Sequence, residues 1–269
     1  MILKLYNLNP ILQAFLAGIF TWFITLIGSL TVFFNKSQNR KIFDCMLGFA
    51  GGIMLSASFF SLILPSIEYS KNLPVSLWFP VSFGFLFGSL FLFIIDKIIP
   101  HLHPNSKIYE REGIKKEIPL YFLLVFAITL HNIPEGLAVG VSFGSLKYNK
   151  NFDNFLNSIT LTLGIGIQNF PEGLAVSMPL SSLRMSKFKS FFIGQLSGFV
   201  EPIFAWIGAF LISYFSKILP YALSFAAGAM IYVVIEEVIP EIQKAGNIDL
   251  STIVFILGFI LMMIFDISF

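Results

Sequence analysis

Two segments of the chain carry residues whose types and spacing could bind a cation. Residues 131–139 read HNIPEGLAV and residues 168–176 read QNFPEGLAV, with seven of nine positions identical. In each segment a nitrogen- or oxygen-bearing side chain precedes a glutamate by four residues, which places both on one face of a helix, one turn apart. The proline between them removes a backbone hydrogen bond and frees a carbonyl oxygen. The pattern predicts a cation site shared by two helices.

The composition places that site in a membrane. The chain is 56% hydrophobic and 12% charged, contains 33 Phe, and has a mean hydropathy of +0.83, which is far more apolar than a soluble domain. We therefore expect an all-α integral membrane protein. Eight apolar runs are long enough to cross a bilayer: 10–34, 42–67, 77–99, 118–144, 155–180, 188–215, 219–240 and 250–267. Since they leave little soluble mass, residues 1–269 are expected to form a single transmembrane domain.

The longest connection, residues 101–117, is polar and contains His101 and His103. Two histidines without a third ligand are weak evidence for a metal site. A plain solvated loop and a loop that collects metal ions both remain open.

The distribution of Lys and Arg predicts the orientation, because basic residues concentrate in cytoplasmic loops. Twelve lie after spans one, three, five and seven, against five on the other side: Lys4, Lys71, Lys147, Lys150 and Lys217. Both termini are therefore expected outside the cytoplasm of a multi-pass cell-membrane protein, with an organelle membrane as the alternative. The first apolar run is too long for a signal peptide and is interpreted as a retained helix.

Ionisable residues inside the spans are mainly acids. They are His131, Glu135, Glu172, Glu201 and, nearer the cytoplasmic end, Glu236 and Glu237. A carboxylate at a helix centre costs about 2.5–3.5 kcal/mol, and no basic residue within the spans is predicted to pair with these. The acids must be protonated, hydrated or compensated by a bound cation. Protonated glutamates that join helices are the alternative to a cation site.

The ligand types restrict the cation. An imidazole (His131), carboxylates (Glu135 and Glu172) and amide oxygens (Asn132, Gln168 and Asn169) suit Zn(II), Fe(II), Mn(II) or Cd(II). Sodium would not need the histidine. Because Glu201 on the next span adds another carboxylate, two adjacent metal ions could share bridging ligands.

The paired HNxPEG and QNxPEG segments closely resemble the ZIP (Zrt/Irt-like) divalent-metal transporters, and the PEGLAVG run resembles their bacterial GufA-like branch. The resemblance covers essentially the whole chain. It implies a primary metal site at His131, Glu135, Gln168 and Glu172, and an adjoining site at Asn132, Asn169 and Glu201. Met54, in the segment AGGIML of the second span, matches a methionine that the family brings to the primary site. Many members have aspartate where this chain has Asn169, which removes one negative charge.

The resemblance also implies an architecture. Helices one to three and six to eight would form an inverted repeat around central, metal-binding helices four and five, and transport would occur by alternating access. Small residues at positions 48 and 52, and at 84 and 88, predict close helix contacts.

Two stripes of polar side chains suggest a conduction path. Ser58, Ser61, Pro65 and Glu68 share a face of the second span, and Met230, Glu237 and Glu241 share a face of the seventh, next to Glu236. Serines and methionines on such helices are more often packing residues. Asp96 and Asp266, near helix ends, are interpreted as surface charges.

Three classes of function compete. A carrier of divalent metal, chiefly Zn(II), into the cytoplasm is favoured, with the metal as substrate and without an organic cofactor. A metal-dependent intramembrane hydrolase is disfavoured because no His-Glu-x-x-His pattern is present. An ion-coupled carrier of an organic solute should offer basic groups, which this core lacks. The expected partners are metal ions and the lipid bilayer, with no nucleic acid, and a homodimer is left open.

Overall fold

The computed structural model describes residues 2–34, 39–98, 120–182, 185–244 and 246–268, and all regular structure within these ranges is helical. A short helix, Ile2–Tyr6, precedes eight long ones. In chain order these are α1 (Pro10–Phe33), α2 (Arg40–Ser70), α3 (Trp78–Ile98), α4 (Leu120–Ser145), α5 (Phe152–Ser182), α6 (Lys187–Tyr214), α7 (Ser216–Gln243) and α8 (Ile248–Ser268).

Six of these helices, all except α4 and α5, are long and apolar enough to cross a membrane. The protein is therefore a multi-pass, all-helical membrane protein. The helices α4 and α5 contain 26 and 31 residues, which is ample length for a span, but they carry the polar motifs. The bounds of all eight lie close to the predicted runs, and the finer description as eight spans stays a prediction.

The helices pack in two groups of four. One group contains α1, α4, α5 and α6, with its closest packing in the pairs α1–α5 and α4–α6; the other contains α2, α3, α7 and α8, with the pairs α2–α8 and α3–α7. Across the boundary, α2 packs on α5 and α7 packs on α4. The two motif helices therefore lie in one group, and each faces a helix of the other.

Glycines allow the close pairs to form. A Cβ atom at Gly52 would lie 1.9 Å from the Phe255 carbonyl oxygen of α8, and one at Gly173 would lie 2.1 Å from the Thr25 carbonyl oxygen of α1. Both separations are far below van der Waals contact, so any larger residue would push the helices apart. The predicted close contacts of the second and third spans are confirmed. The glycine of the second motif also serves helix packing.

Two helices contain a segment with π-type hydrogen bonding. In α2 this segment is Ser58–Ile63, shortly before Pro65, and in α7 it is Val234–Val238, shortly before Pro240. Such π-turns insert an extra residue and rotate the side chains that follow. The predicted stripe on the second span is therefore not one straight face.

Ion pairs join the ends of α2 and α7, and a hydrogen bond adds the residue that precedes α8. Arg40 Nε lies 2.7 Å from Asp44 Oδ1, and Arg40 Nη1 lies 2.9 Å from Glu241 Oε1. Lys244 Nζ lies 3.2 Å from Glu241 Oε2, and Asn247 Nδ2 donates to Asp44 Oδ2 at 2.9 Å. We call Arg40, Asp44, Glu241 and Lys244 the terminal ion cluster.

This cluster corrects the sequence analysis in one respect. Asp44 is fully buried within the second span, although the sequence analysis does not count it among the buried acids. Its basic partner, Arg40, opens the same helix two residues before the predicted start of the span. The interpretation of Asp96 as a surface charge is also wrong, because only 4% of that residue is exposed.

Candidate metal centre

Three helices of one group bring the predicted ligands together. The first motif lies in the middle of α4 and the second in the middle of α5, and both helices continue through the motif prolines. Glu201 lies on α6, which packs against both. We call the following residues the central ligand set: His131, Asn132, Glu135, Gln168, Asn169, Glu172 and Glu201. All are buried except Glu172, which is half-buried.

Two amide side chains of α5 hydrogen-bond within this set. Gln168 Nε2 donates to Glu135 Oε1, which links the two motif helices. Asn169 Nδ2 donates to Glu201 Oε2 at 2.7 Å and to the Thr21 carbonyl oxygen at 3.2 Å. Each amide therefore donates one hydrogen bond to an oxygen of a carboxyl group. A neutral amide stabilises that oxygen less than the full positive charge of a salt bridge would.

His131 makes a contact that crosses between the two helix groups. Its Nε2 pairs with Glu237 Oε1 on the π-type segment of α7. Glu237 was predicted as a pathway residue, and the structure places it directly against a predicted metal ligand. A metal ion that takes this imidazole nitrogen must therefore displace, or be shared with, a side chain of the other group.

Six oxygen atoms of the central ligand set accept no hydrogen bond from any described residue and are shielded from solvent. They are Asn132 Oδ1, Glu135 Oε2, Gln168 Oε1, Asn169 Oδ1, Glu172 Oε2 and Glu201 Oε1. A buried acceptor without a partner costs about 1–3 kcal/mol. Six such oxygens on three neighbouring helices are a donor set for a divalent cation, which would satisfy several of them at once.

The carboxylates of the central ligand set lie close to one another. Glu135 is close enough to Glu172 and Glu201 for their negative charges to interact unfavourably, and Glu172 also interacts with Glu237. In the described part of the chain, however, no three His, Cys, Asp or Glu side chains are arranged to hold one metal ion together. Coordination of one ion by three of them would therefore need side-chain movement, starting with the Gln168–Glu135 and His131–Glu237 contacts.

Met54 lies on α2, the helix that packs on α5. It is 2% exposed, and its neighbour Ile53 would lie 3.5 Å from a Cβ atom at Gly164, one helical turn before Gln168. The structure thus places Met54 at the level of the second motif, and its role as a ligand stays a prediction.

The remaining pathway residues are dispersed. Ser61 and Pro65 line a small polar cavity with Ser142, Asn154, Asn157 and Ser158, and Ser61 also donates to Asp266. Glu68 does not line this cavity; it is exposed and pairs with Lys71. Ser58 is buried and donates to the Met54 carbonyl oxygen at 2.7 Å. Glu236 is half-buried. His101 and His103 lie outside the described residues.

One signal in the sequence was missed. Residues 49–54 read FAGGIM and residues 225–230 read FAAGAM, and each hexapeptide precedes a π-type segment and a proline in α2 or α7. A search for repeats between distant spans would have found this pair. The hexapeptides relate the sequences of the second and seventh helices, in the same way as the HNxPEG and QNxPEG segments relate those of the fourth and fifth.

A family model described as "ZIP Zinc transporter" matches residues 110–266. This chain belongs to the ZIP zinc transporter family. Zinc transporter ZIP11 of Homo sapiens is 37% identical over 336 residues, covering 97% of this chain and 98% of the relative. Zinc transporter GufA of Myxococcus xanthus is 35% identical and covers 91% and 94%, and zinc transporter ZIPB of Bordetella bronchiseptica is 36% identical and covers 94% and 80%.

The ZIP family membership confirms the resemblance that the paired motifs indicated. It also excludes the hydrolase interpretation, because the family consists of transporters and not of enzymes. The similarity extends over nearly the whole chain, so it includes α1, α2 and α3, which lie outside the family-model match.

Proposed function

We propose that this chain transports Zn(II) across the membrane into the cytoplasm, with the central ligand set and Met54 as its metal site. The observation that carries the proposal is the set of six unpartnered, buried carboxylate and amide oxygens on α4, α5 and α6. A permanent protein cation would neutralise such a site and remove its affinity for metal. The names of the relatives point to zinc, and Fe(II), Mn(II) and Cd(II) suit the same ligand types.

Alternating access would use the two helix groups. The group α1, α4, α5 and α6 holds the ligands, whereas α2, α3, α7 and α8 surround it on the other side. His131 and Glu237 meet across that boundary. Metal binding to the imidazole therefore competes with a contact between the groups, which is a direct way for the substrate to bias their relative position. The polar cavity at Ser61 would lie on the entry path, and Glu236 and Glu237 on the exit path.

A second metal position beside the first would use Asn132, Asn169 and Glu201. Asn169 already donates to Glu201 at 2.7 Å, so a metal ion there must break this hydrogen bond. We infer that the primary position, at His131, Glu135, Gln168 and Glu172, is the stronger one.

The same proposal includes eight membrane spans in a single domain, with both termini outside the cytoplasm, according to the positions of the basic residues. The inverted repeat of helices one to three and six to eight receives support from the matched hexapeptides and π-type segments of α2 and α7. The homodimer stays a prediction.

Zinc uptake into proteoliposomes that contain the purified protein tests the function. We expect uptake by the wild type and a loss of about a hundredfold in His131→Ala and Glu135→Ala, because each removes a direct ligand. Asp153→Ala is the matched control, since Asp153 is an exposed carboxylate in the first turn of α5. No uptake by the wild type, or wild-type uptake by both ligand variants, would contradict the proposal.

A further inference from the structure

The hexapeptide repeat makes Met230 the counterpart of Met54. Aligning FAGGIM with FAAGAM pairs Gly52 with Gly228 and Met54 with Met230. Both methionines are buried, with 2% and 0% exposure, and both belong to the same apolar cluster.

Helix packing explains the repeated glycines but not the repeated methionines. A Cβ atom at Gly52 would lie 1.9 Å from Phe255 O of α8, and one at Gly228 would lie 2.1 Å from Phe85 O of α3. Each glycine therefore faces the partner helix within its own group. The methionine comes two residues later, which is about 200° around the helix, and so it points away from that partner.

That direction leads to the motif helices. The helix of Met54 packs on α5, which carries QNxPEG, and the helix of Met230 packs on α4, which carries HNxPEG. The two hexapeptides are thus arranged alike, because each lies on a helix that packs on one of the two motif helices.

Neighbouring contacts fix the level of Met230 along α4. Leu223, two turns before Met230, lines the cavity that also contains Ser142, and Glu237, two turns after it, contacts His131. Leu223 and Met230 are seven residues apart in regular α-helix, so they lie on nearly the same face of α7. Glu237 belongs to the π-type segment and marks only the level along α4. Met230 is therefore on the side of α7 that meets α4 at the cavity, at a level between Ser142 and His131, close to Glu135 and Gly136.

We propose that Met230 is a second thioether ligand of the transported metal, equivalent to Met54. In a carrier built from inverted repeats, the two halves exchange conformations as the site changes the side to which it opens. The thioether of one half would meet the metal in one state and that of the other half in the opposite state. The proposal rests on the proposed function, specifically on Met54 as a ligand.

Thioether ligands favour soft metals, so the test compares cadmium with manganese. Initial rates of uptake of each ion into proteoliposomes are measured for the wild type, Met54→Leu, Met230→Leu and the double variant. Leucine nearly conserves the side-chain volume. Met178→Leu is the control, because Met178 is 4% exposed and lies in the other apolar cluster.

We expect the cadmium-to-manganese ratio to fall by about threefold or more in each single variant, and further in the double variant, while Met178→Leu retains the wild-type ratio. Cadmium X-ray absorption on the purified proteins provides a second, direct readout. Sulfur neighbours of the bound ion should decrease in both single variants and disappear in the double variant.

The outcomes separate the two proposals. If the wild type transports neither ion nor zinc, the proposed function is wrong. If Met54→Leu lowers the ratio and the sulfur signal but Met230→Leu behaves like Met178→Leu, Met230 is a packing residue and only this inference fails. If neither variant changes the ratio in a protein that transports zinc, neither methionine is a ligand and the inference is overturned together with the role of Met54.

Discussion

The terminal ion cluster and the central ligand set both bury carboxylates, but they balance the negative charge differently. Asp44 and Glu241 are compensated by Arg40 and Lys244, at distances of 2.7–3.2 Å. Glu135 and Glu201 have neutral donors instead: the Gln168 amide for Glu135, and the Asn169 amide with the Thr21 and Thr25 hydroxyls for Glu201. Both regions lie in the same fold and both carboxylate pairs are inaccessible to solvent.

The difference distinguishes a structural ion pair from the proposed transport site. A fixed guanidinium satisfies a carboxylate permanently and ties helix ends together, which suits a region that should not change. A carboxylate with an unpartnered oxygen retains affinity for a cation that can arrive and leave. On this view, the charge balance around a buried acid, more than its burial, predicts its role.

Removing the guanidinium from the terminal ion cluster should have the largest effect on stability. In Arg40→Met, Asp44 and Glu241 lose their shared partner, and we expect a loss of about 3 kcal/mol in the free energy of unfolding. Lys71→Met is the control, because the Lys71–Glu68 pair is exposed and should contribute about 0.5 kcal/mol or less. Chemical unfolding in detergent measures both, and equal losses in the two variants would remove the distinction between the regions.

Neutralising a carboxylate of the central ligand set should not destabilise the metal-free protein, in contrast to Arg40→Met. Glu172→Gln replaces an acid beside Glu135 and Glu201 with a neutral amide of similar shape, so the metal-free protein should be as stable as the wild type or more stable by about 1 kcal/mol. Zinc at a hundred times its Kd should stabilise the wild type by about 2.7 kcal/mol and this variant much less. Thermal unfolding with and without zinc checks both statements. A metal-free variant clearly less stable than the wild type would mean that Glu172 has a structural partner.

Asn169→Asp should make the stability of the protein depend more strongly on bound metal. It replaces the donor to Glu201 with a second carboxylate, so we expect a loss of about 2 kcal/mol in the metal-free protein. Zinc should restore that stability and bind with a higher stoichiometry. Asn169→Ala removes the same hydrogen bond without adding charge, so recovery with zinc in both variants would indicate that position 169 does not face the metal.

Acidification should have the smallest effect. Zinc binds the unprotonated forms of imidazole and carboxylate groups, so protons compete with it, and binding should weaken with measurable proton release as the pH falls from about 8 to 5. Calorimetry in two buffers of different ionisation enthalpy measures the protons released. Affinity independent of pH, with no proton release, would contradict a site of imidazole and carboxylates.

The sequence predicted the helices and the position of both motifs in the middle of helices because both signals are local. Long apolar runs define the helices, and a four-residue spacing places His131 and Glu135, or Gln168 and Glu172, on one face. Family membership then confirmed the function that these motifs indicated.

Features that depend on tertiary packing were not predictable in this way. The His131–Glu237 contact joins α4 to α7, and no local pattern links residues so far apart. The π-type segments rotate the side chains of α2 and α7 after Ser58 and Val234, which disrupted the predicted stripe. Asp44 and Asp96 resemble surface charges in sequence because each lies near the end of an apolar run, and only the packing around them shows that they are buried.

Zinc binding to purified Glu135→Gln and Glu241→Gln, measured by isothermal titration beside the wild type, tests the central claim most directly. The two variants remove the same charge from a buried glutamate, one in the central ligand set and one in the terminal ion cluster. We expect Glu135→Gln to weaken zinc binding by about a hundredfold without loss of stability, and Glu241→Gln to bind zinc like the wild type but to unfold more readily. Wild-type affinity in Glu135→Gln, or an equal loss of affinity in both variants, would contradict the assignment of the two regions.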